Sequence, residues 1–302
     1  MKKIFFIVGT LLMVNAFAQQ EPLFTQYYVN DMVINPAISG SKTYNSLTIQ
    51  TRQQWLGFEG APLSTNISYH GSLNNRSAMG GYLMFDKAFP STQANLHLNY
   101  AYHVPLNYDD VKLSFGLGAK LMYHNLDFNK EDLPSDREDP AFSASAYEKT
   151  LADASSGVYF YGSNFHFGFS VSNMLQSSFN KNKNYEYRNY YAMGAYRFRI
   201  INNDWQLEPS ILIRKMQYLK GLTDITTRII FLENNWAGLT YRTNETFVFS
   251  FGFAQNNMHF SYSYDHSFSD EISQFSYGTH EIGIAFRIET LVSQRHTGFW
   301  GY

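Results

Sequence analysis

The chain has 302 residues, a formal charge of −2 and no cysteine. It is long enough for one large all-β domain or two smaller ones. The charge balance gives no reason to expect nucleic acid as a partner. The lack of thiols excludes disulfides, thiolate metal sites and a lipid anchor on cysteine. Aromatic residues make up 18% of the chain, with 26 Phe and 23 Tyr, yet mean hydropathy is only −0.31. Many aromatics in a chain that is not apolar overall fit a transmembrane β-barrel, whose strands alternate apolar-out with polar-in between aromatic girdles.

The first 18 residues read as an export signal. Lys2 and Lys3 are followed by the apolar run Ile4 to Val14 and by Ala16-Phe17-Ala18. A basic start, a short apolar stretch and A-x-A mark a cleavage site. Removing the two lysines takes the formal charge from −2 to −4. A spanning helix needs about 20 apolar residues, more than this run supplies, and no later stretch is long enough either.

Residues 20–41 lack strand rhythm and are punctuated by Asn35-Pro36 and Gly40. Asn-Pro with a nearby Gly interrupts regular structure. The segment 19–44 either folds into or under a barrel or stays a loose periplasmic tail. Two alternating runs follow, about 45–55 and 63–73, around Gly57-Phe58-Glu59-Gly60-Ala61-Pro62. Alternating runs about a Gly/Pro loop read as a β-hairpin.

The order Asn35-Pro36-Ala37, then Arg52-Gln53-Gln54-Trp55-x-Gly57-Phe58-x-Gly60-Ala61-Pro62, then Ser68-x-His70 resembles the start of the PorP/SprF family, outer-membrane proteins of type IX secretion. The resemblance is close over residues 26–73, and the rest agrees in length and strand rhythm. It implies a non-enzymatic outer-membrane component of type IX secretion and gliding motility. Its partner would be a secreted adhesin carrying a type IX C-terminal sorting domain, delivered to or anchored at the cell surface. Other components of the secretion apparatus are further possible partners. The motif residues Asn35, Pro36, Arg52, Trp55, Gly57, Phe58 and Gly60 are expected to hold the first hairpin and its rim. A passive porin or small-solute channel is the alternative.

Further period-two runs lie near 78–87, 93–104, 111–123, 155–162, 165–173, 189–200, 205–217, 223–233, 236–243, 246–254, 258–267 and 278–289. With the hairpin they make an all-β transmembrane antiparallel barrel of about 14 strands over 45–290. An even count returns both ends to the periplasm. Connections sort by parity. One set is tight and rich in Asn, Asp and Gly, such as Gly162-Ser163-Asn164 and Gln255-Asn256-Asn257; the other holds the long ones, about 126–154, 174–188 and 268–277. Short periplasmic turns and long outer loops are the pattern of an outer-membrane barrel.

Alternation predicts that Lys120, Arg197, Arg199, Glu208, Arg214, Arg228, Arg242, Glu281 and Arg287 face the lumen. Charges on the lipid face would cost about 2–4 kcal/mol near the midplane. These arginines line an anion-selective pore, hold a plug, or form a satisfied network with Glu and Tyr. Among the connections, 129–156 is the most polar and carries Glu131, Asp132, Asp136, Glu138, Asp139 and Asp153. It is either a solvated outer loop or, with 174–188, the surface that meets cargo. Residues 291–302 form a tail ending in Phe299, Trp300 and Tyr302. The nine histidines are scattered, with no HExxH, and no serine sits in a GxSxG elbow. Neither catalysis nor a metal or other cofactor is indicated.

Overall fold

The computed structural model describes residues 24–106, 111–126, 147–180, 184–201, 204–232, 235–268 and 275–289. They form a closed barrel of 14 antiparallel staves. In chain order the strands are β1 (Asn45–Gln53), β2 (Leu63–Ser72), β3 (Ser77–Ala88), β4 (Ser91–Pro105), β5 (Lys112–Leu126), β6 (Tyr147–Tyr161) and β7 (Phe165–Ser172). A small ribbon follows, β8 (Ser178–Asn180) with β9 (Asn184–Tyr185). Then come β10 (Asn189–Tyr196), β11 (Phe198–Ile201), β12 (Trp205–Met216), β13 (Leu222–Phe231), β14 (Asn235–Arg242), β15 (Thr246–Gln255), β16 (Met258–Ser267) and β17 (Thr279–Ile288). β10 and β11 are two halves of one stave, interrupted at Arg197, and both pair with β12. Sequential neighbours pair throughout, and the wall closes where β1 meets β17, with Arg52 directly opposite Glu281.

The strands are built by alternation. In β15, Phe247, Phe249, Phe251 and Phe253 are exposed, while Thr246, Val248, Ser250 and Gly252 are buried between them. In β5, Phe115, Leu117, Leu121 and Tyr123 face outward, and Ser114, Lys120, Met122 and His124 face in. Side chains alternate across a strand. A continuous outward apolar surface over buried polar residues therefore places lipid outside. The turns at one end are short and use local chemistry. Asn74 Oδ1 accepts from the backbone N–H groups of Arg76 at 2.9 Å and Ser77 at 2.8 Å, and Asn256 adopts a left-handed φ of 56°, which Asn tolerates. That end is periplasmic by the length rule.

One boundary differs from the sequence reading. β6 begins at Tyr147 and pairs with β5 along its whole length, so 147–156 are wall and not loop. The run was obscured because its outward residues Ala152, Ala154 and Ser156 are small, which flattens the hydrophobic alternation. Asp153 is buried on the inner face. The acidic positions Glu131, Asp132, Asp136, Glu138 and Asp139 lie outside the described residues, as do 1–23 and 290–302.

The core lies inside the barrel. Residues 24–44 run through the lumen with two single 3-10 turns, Asp31–Val33 and Pro36–Ile38. Tyr27, Tyr28, Val29, Ala37 and Ile38 pack with wall residues Tyr159, Tyr161, Met193, Leu212, Ile230 and Trp236. Phe24 and Met32 pack with Tyr82 and Met84. The chain descends from Thr25, level with the outer ends of β1, β16 and β17, to Tyr44 at the periplasmic start of β1.

Candidate functional site: the plugged lumen

Asn35 fastens the lower half of the plug. Its Oδ1 accepts from Ala37 N–H at 3.0 Å, and its Nδ2 donates to the carbonyls of Val158 at 3.0 Å and Phe169 at 3.4 Å. An Asn before a helical turn with Pro at its first position is a strong N-terminal cap. The wall facing this turn is stripped of side chains. A Cβ on Gly116 would strike the Pro36–Ala37 backbone, one on Gly157 would strike Asn35 Oδ1, and one on Gly168 would crowd Asn35 Nδ2. The plug's own polar backbone groups are satisfied by the wall. Ile34 O accepts from Ser170 at 2.7 Å, Ala37 O from Ser114 at 2.7 Å, and Gly40 N–H donates to His70 at 3.0 Å.

Thr25 is held at the outer end by a buried ionic cluster. Its N–H donates to Glu281 at 2.7 Å, and its hydroxyl donates to Asp265 at 2.7 Å. The same hydroxyl accepts from Arg52 at 2.7 Å and Arg242 at 3.3 Å. Arg52 pairs with Asp265 at 2.8 Å and Glu281 at 3.3 Å. Arg242 reaches Asp224 at 2.8 Å, and Arg214 pairs with the other oxygen of Asp224. Three cations and three carboxylates cancel. Buried charges persist only when paired and hydrogen-bonded, and here a threonine of the plug completes the set.

Nearer the periplasmic end, Glu208 accepts from Arg197 at 2.8 and 2.9 Å and also pairs with Arg228. The Arg228 guanidinium lies 4.1 Å from the centre of the Tyr28 ring, a cation–π contact. Tyr28 donates to Ser250 at 2.8 Å and meets Trp236 edge-on at 5.1 Å; Trp236 Nε1–H donates to His259 at 3.1 Å. Inside the plug, Lys42 lies 3.9 Å from Asp31.

Most of the charged residues assigned to the lumen are there: Lys120, Arg197, Glu208, Arg214, Arg228, Arg242 and Glu281 are buried. Two sit differently. Arg287 is half-buried beside Tyr44 at 5.2 Å. Arg199 keeps the inner-face register opposite Gln206 but is exposed, on the short β11 at the periplasmic end of its stave. The family-motif residues do not act as one unit. Asn35 and Pro36 belong to the plug and Arg52 to the outer ionic cluster. Only Trp55, Gly57, Phe58 and Gly60 build the rim. There Trp55, Gly57 and Gly60 take left-handed φ values of 44°, 91° and 72°, and Leu56 exchanges backbone hydrogen bonds of 2.8 Å with Tyr277 and Gly278. Sequence reasoning missed Asp224, Asp265 and Thr25 as partners of the arginines. The first two sit on the inward parity of their strands, which was a usable signal. Thr25 carries none.

The loop after β7 is tied down at its start. Asp153 accepts from the N–H groups of Leu175 at 2.9 Å and Ser177 at 3.2 Å, and Lys120 donates to Asn173 at 3.1 Å. Among the described residues no group of His, Asp or Glu is arranged to hold a metal ion.

Lipid-facing aromatics over a closed wall, short turns at one end and a buried polar lumen define an outer-membrane β-barrel whose lumen is occupied by its own N-terminal segment. The PorP/SprF family of type IX secretion system membrane proteins matches residues 16–286. The chain belongs to that family, and is an outer-membrane component of type IX secretion. No curated protein matches it. Among solved structures, it is similar in fold to the CymD monoaromatic hydrocarbon channel, with 10% identity, a TM-score of 0.52, and coverage of 87% of this chain and 93% of that one. It is similar also to the P. putida toluene transporter TodX, with 10% identity, a TM-score of 0.50, and coverage of 85% and 93%. At such identity the likeness speaks to the barrel fold alone.

Proposed function

We propose that this protein is a non-enzymatic, non-conducting partner that binds the C-terminal domain of a secreted adhesin and supports its delivery or anchoring at the cell surface, in gliding cells as part of the motility apparatus. Family membership supports the type IX part of this reading. The observation that carries the rest is the occupied lumen. A porin needs an open polar path, and here residues 24–44 fill the barrel and are bonded to strands all around the wall. The outer face is then the surface left for cargo, and the long connection between β5 and β6 is the first candidate for contact.

The test is a gentle detergent pull-down of the tagged native protein with mass spectrometry, beside planar-bilayer recording of the purified barrel. Retention of a large secreted protein through its C-terminal domain, with no conductance, supports the reading. An isolated barrel that conducts ions overturns it in favour of the passive channel.

A further inference from the structure

One sector of the outer rim carries cations on its lipid-facing side. In β12, Ile211, Ile213 and Lys215 share the outward parity, with Lys215 near the outer end. Lys215 stands directly opposite Tyr190 of β10, and Ile211 stands opposite Ile225 of β13. One step further out, the Gln217 N–H donates to the Arg188 carbonyl at 2.9 Å. That register puts Arg188 on the parity of Tyr190, diagonal to Lys215. Lys220 is exposed on the turn that follows β12.

Backbone carbonyls hold two of these cations in place without neutralising them. Arg188 donates from Nε and Nη2 to Met174 O at 3.2 and 3.1 Å, and the Lys215 ammonium donates to Leu219 O. Among the described residues none of the three cations has a carboxylate partner, and the neighbouring Glu186 accepts from Asn173 at 3.4 Å. Two tyrosines flank them. Tyr218 meets Tyr187 edge-on with ring centres 5.6 Å apart. It is 80% exposed and takes a left-handed φ of 69°, a conformation rare for an aromatic residue. Ammonium and guanidinium groups bond phosphate strongly, and clusters of them beside a membrane recognise phosphate-bearing headgroups. Lys215 and Tyr190 face the bilayer and not the lumen, above a column of isoleucines, so the anion that meets Lys215 there is carried by a lipid. This end of the barrel lies in the outer leaflet, which in an outer membrane is built of lipopolysaccharide with phosphate on its lipid A.

We propose that Arg188, Lys215 and Lys220 form a binding site for the phosphate of a lipid A molecule in the outer leaflet. Arg188 Nη1 and the remaining N–H groups of Lys215 donate to the phosphate, and Lys220 adds a third positive charge. Tyr187 and Tyr218 border the headgroup, and acyl chains lie along Ile211, Ile213 and Ile225. The site is on the outside of the wall and independent of the plugged lumen.

The test uses the full-length protein in detergent micelles and native mass spectrometry, with phosphorylated lipid A or the same lipid A stripped of phosphate. We expect the phosphorylated form to be retained on the barrel at least tenfold more than the stripped form. The triple variant Arg188→Gln, Lys215→Gln and Lys220→Gln is expected to lower retention at least tenfold. Lys87→Gln, which removes a lipid-facing cation at the outer end of β3, is expected to leave it unchanged. Should the triple variant fail to fold, Lys215→Gln alone supplies the comparison, with a loss of at least threefold. The proposal is overturned if stripped lipid A is retained as well as the phosphorylated form, or if the variants in this sector retain it as the native protein does. It is overturned too if Lys87→Gln lowers retention as much as they do, which reduces the effect to overall charge.

Discussion

Asn35 stands where a side chain on Gly157 would have to be, and its amide bridges the carbonyls of Val158 and Phe169 on adjacent strands. The plug and the wall are therefore fitted to one another at the level of a single methyl group. Gly157→Ala should displace the Asn35 turn and destabilise the protein by about 1–3 kcal/mol, the usual cost of overpacking. Asn35→Ala should cost about 1–3 kcal/mol through the lost cap and the carbonyls left unmet. Thermal unfolding followed by the mobility shift of the folded barrel on gels would show both losses. A neutral Gly157→Ala would mean that the turn has room to move.

Arg52→Ala leaves Asp265 and Glu281 buried with less positive charge around them. Breaking a buried pair from one side costs about 3–5 kcal/mol. The released element is expected to be the top of the plug, since Thr25 shares both carboxylates. Single-barrel recordings should show intermittent conductance that the native protein lacks. Arg52→Lys should restore part of the stability but not all, because an ammonium cannot copy the fork that reaches two acids and a hydroxyl.

Arg228→Leu removes one of the two cations on Glu208 and the cation–π contact on Tyr28. Glu208 keeps its pair with Arg197, so a loss of about 1.5–3 kcal/mol is expected. The double variant Arg228→Leu with Glu208→Leu should lose more, since the buried Arg197 guanidinium is then deprived of the carboxylate onto which it forks. Urea or heat denaturation of the two variants side by side decides this; equal losses would contradict it.

Because β6 begins at Tyr147, a cargo-contact deletion must stop short of that residue. Removing 127–146 should leave β5 and β6 paired and the barrel inserted, while the adhesin appears in the medium instead of at the surface. Removing 129–153 instead should impair insertion itself, since it takes Asp153 and half of the pairing with β5. Surface immunolabelling and blots of the medium separate the two outcomes.

Strand order, closure and the inward set of charges were legible because the bilayer imposes a period of two on every crossing, as Phe247 to Phe253 show. Where outward residues are small, as at Ala152, Ala154 and Ser156, the rhythm faded and the start of β6 was hidden. The plug was harder to read. Residues 24–44 follow no period, and their positions are set by partners scattered through the chain, so local pattern carries little of that information. The Asn35-Pro36 pair was visible as punctuation, but its receptor is a bare patch made of Gly116, Gly157 and Gly168 from three strands. Arg52 looked like part of a hairpin motif because its partners, Asp265 and Glu281, are more than 200 positions away.

The pairing of Arg52 with Glu281 straddles the seam at which β1 and β17 complete the wall, and Thr25 bonds to the same carboxylate across 256 positions of sequence. β17 thus carries one of the anchors for the start of the plug. Such distant contacts form late. A nascent chain that still lacks β17 can hold Thr25 through its hydroxyl, by Asp265, Arg52 and Arg242, but has no acceptor for its N–H and no second acid for Arg52. Completing the wall and securing the top of the plug therefore draw on one carboxylate, that of Glu281.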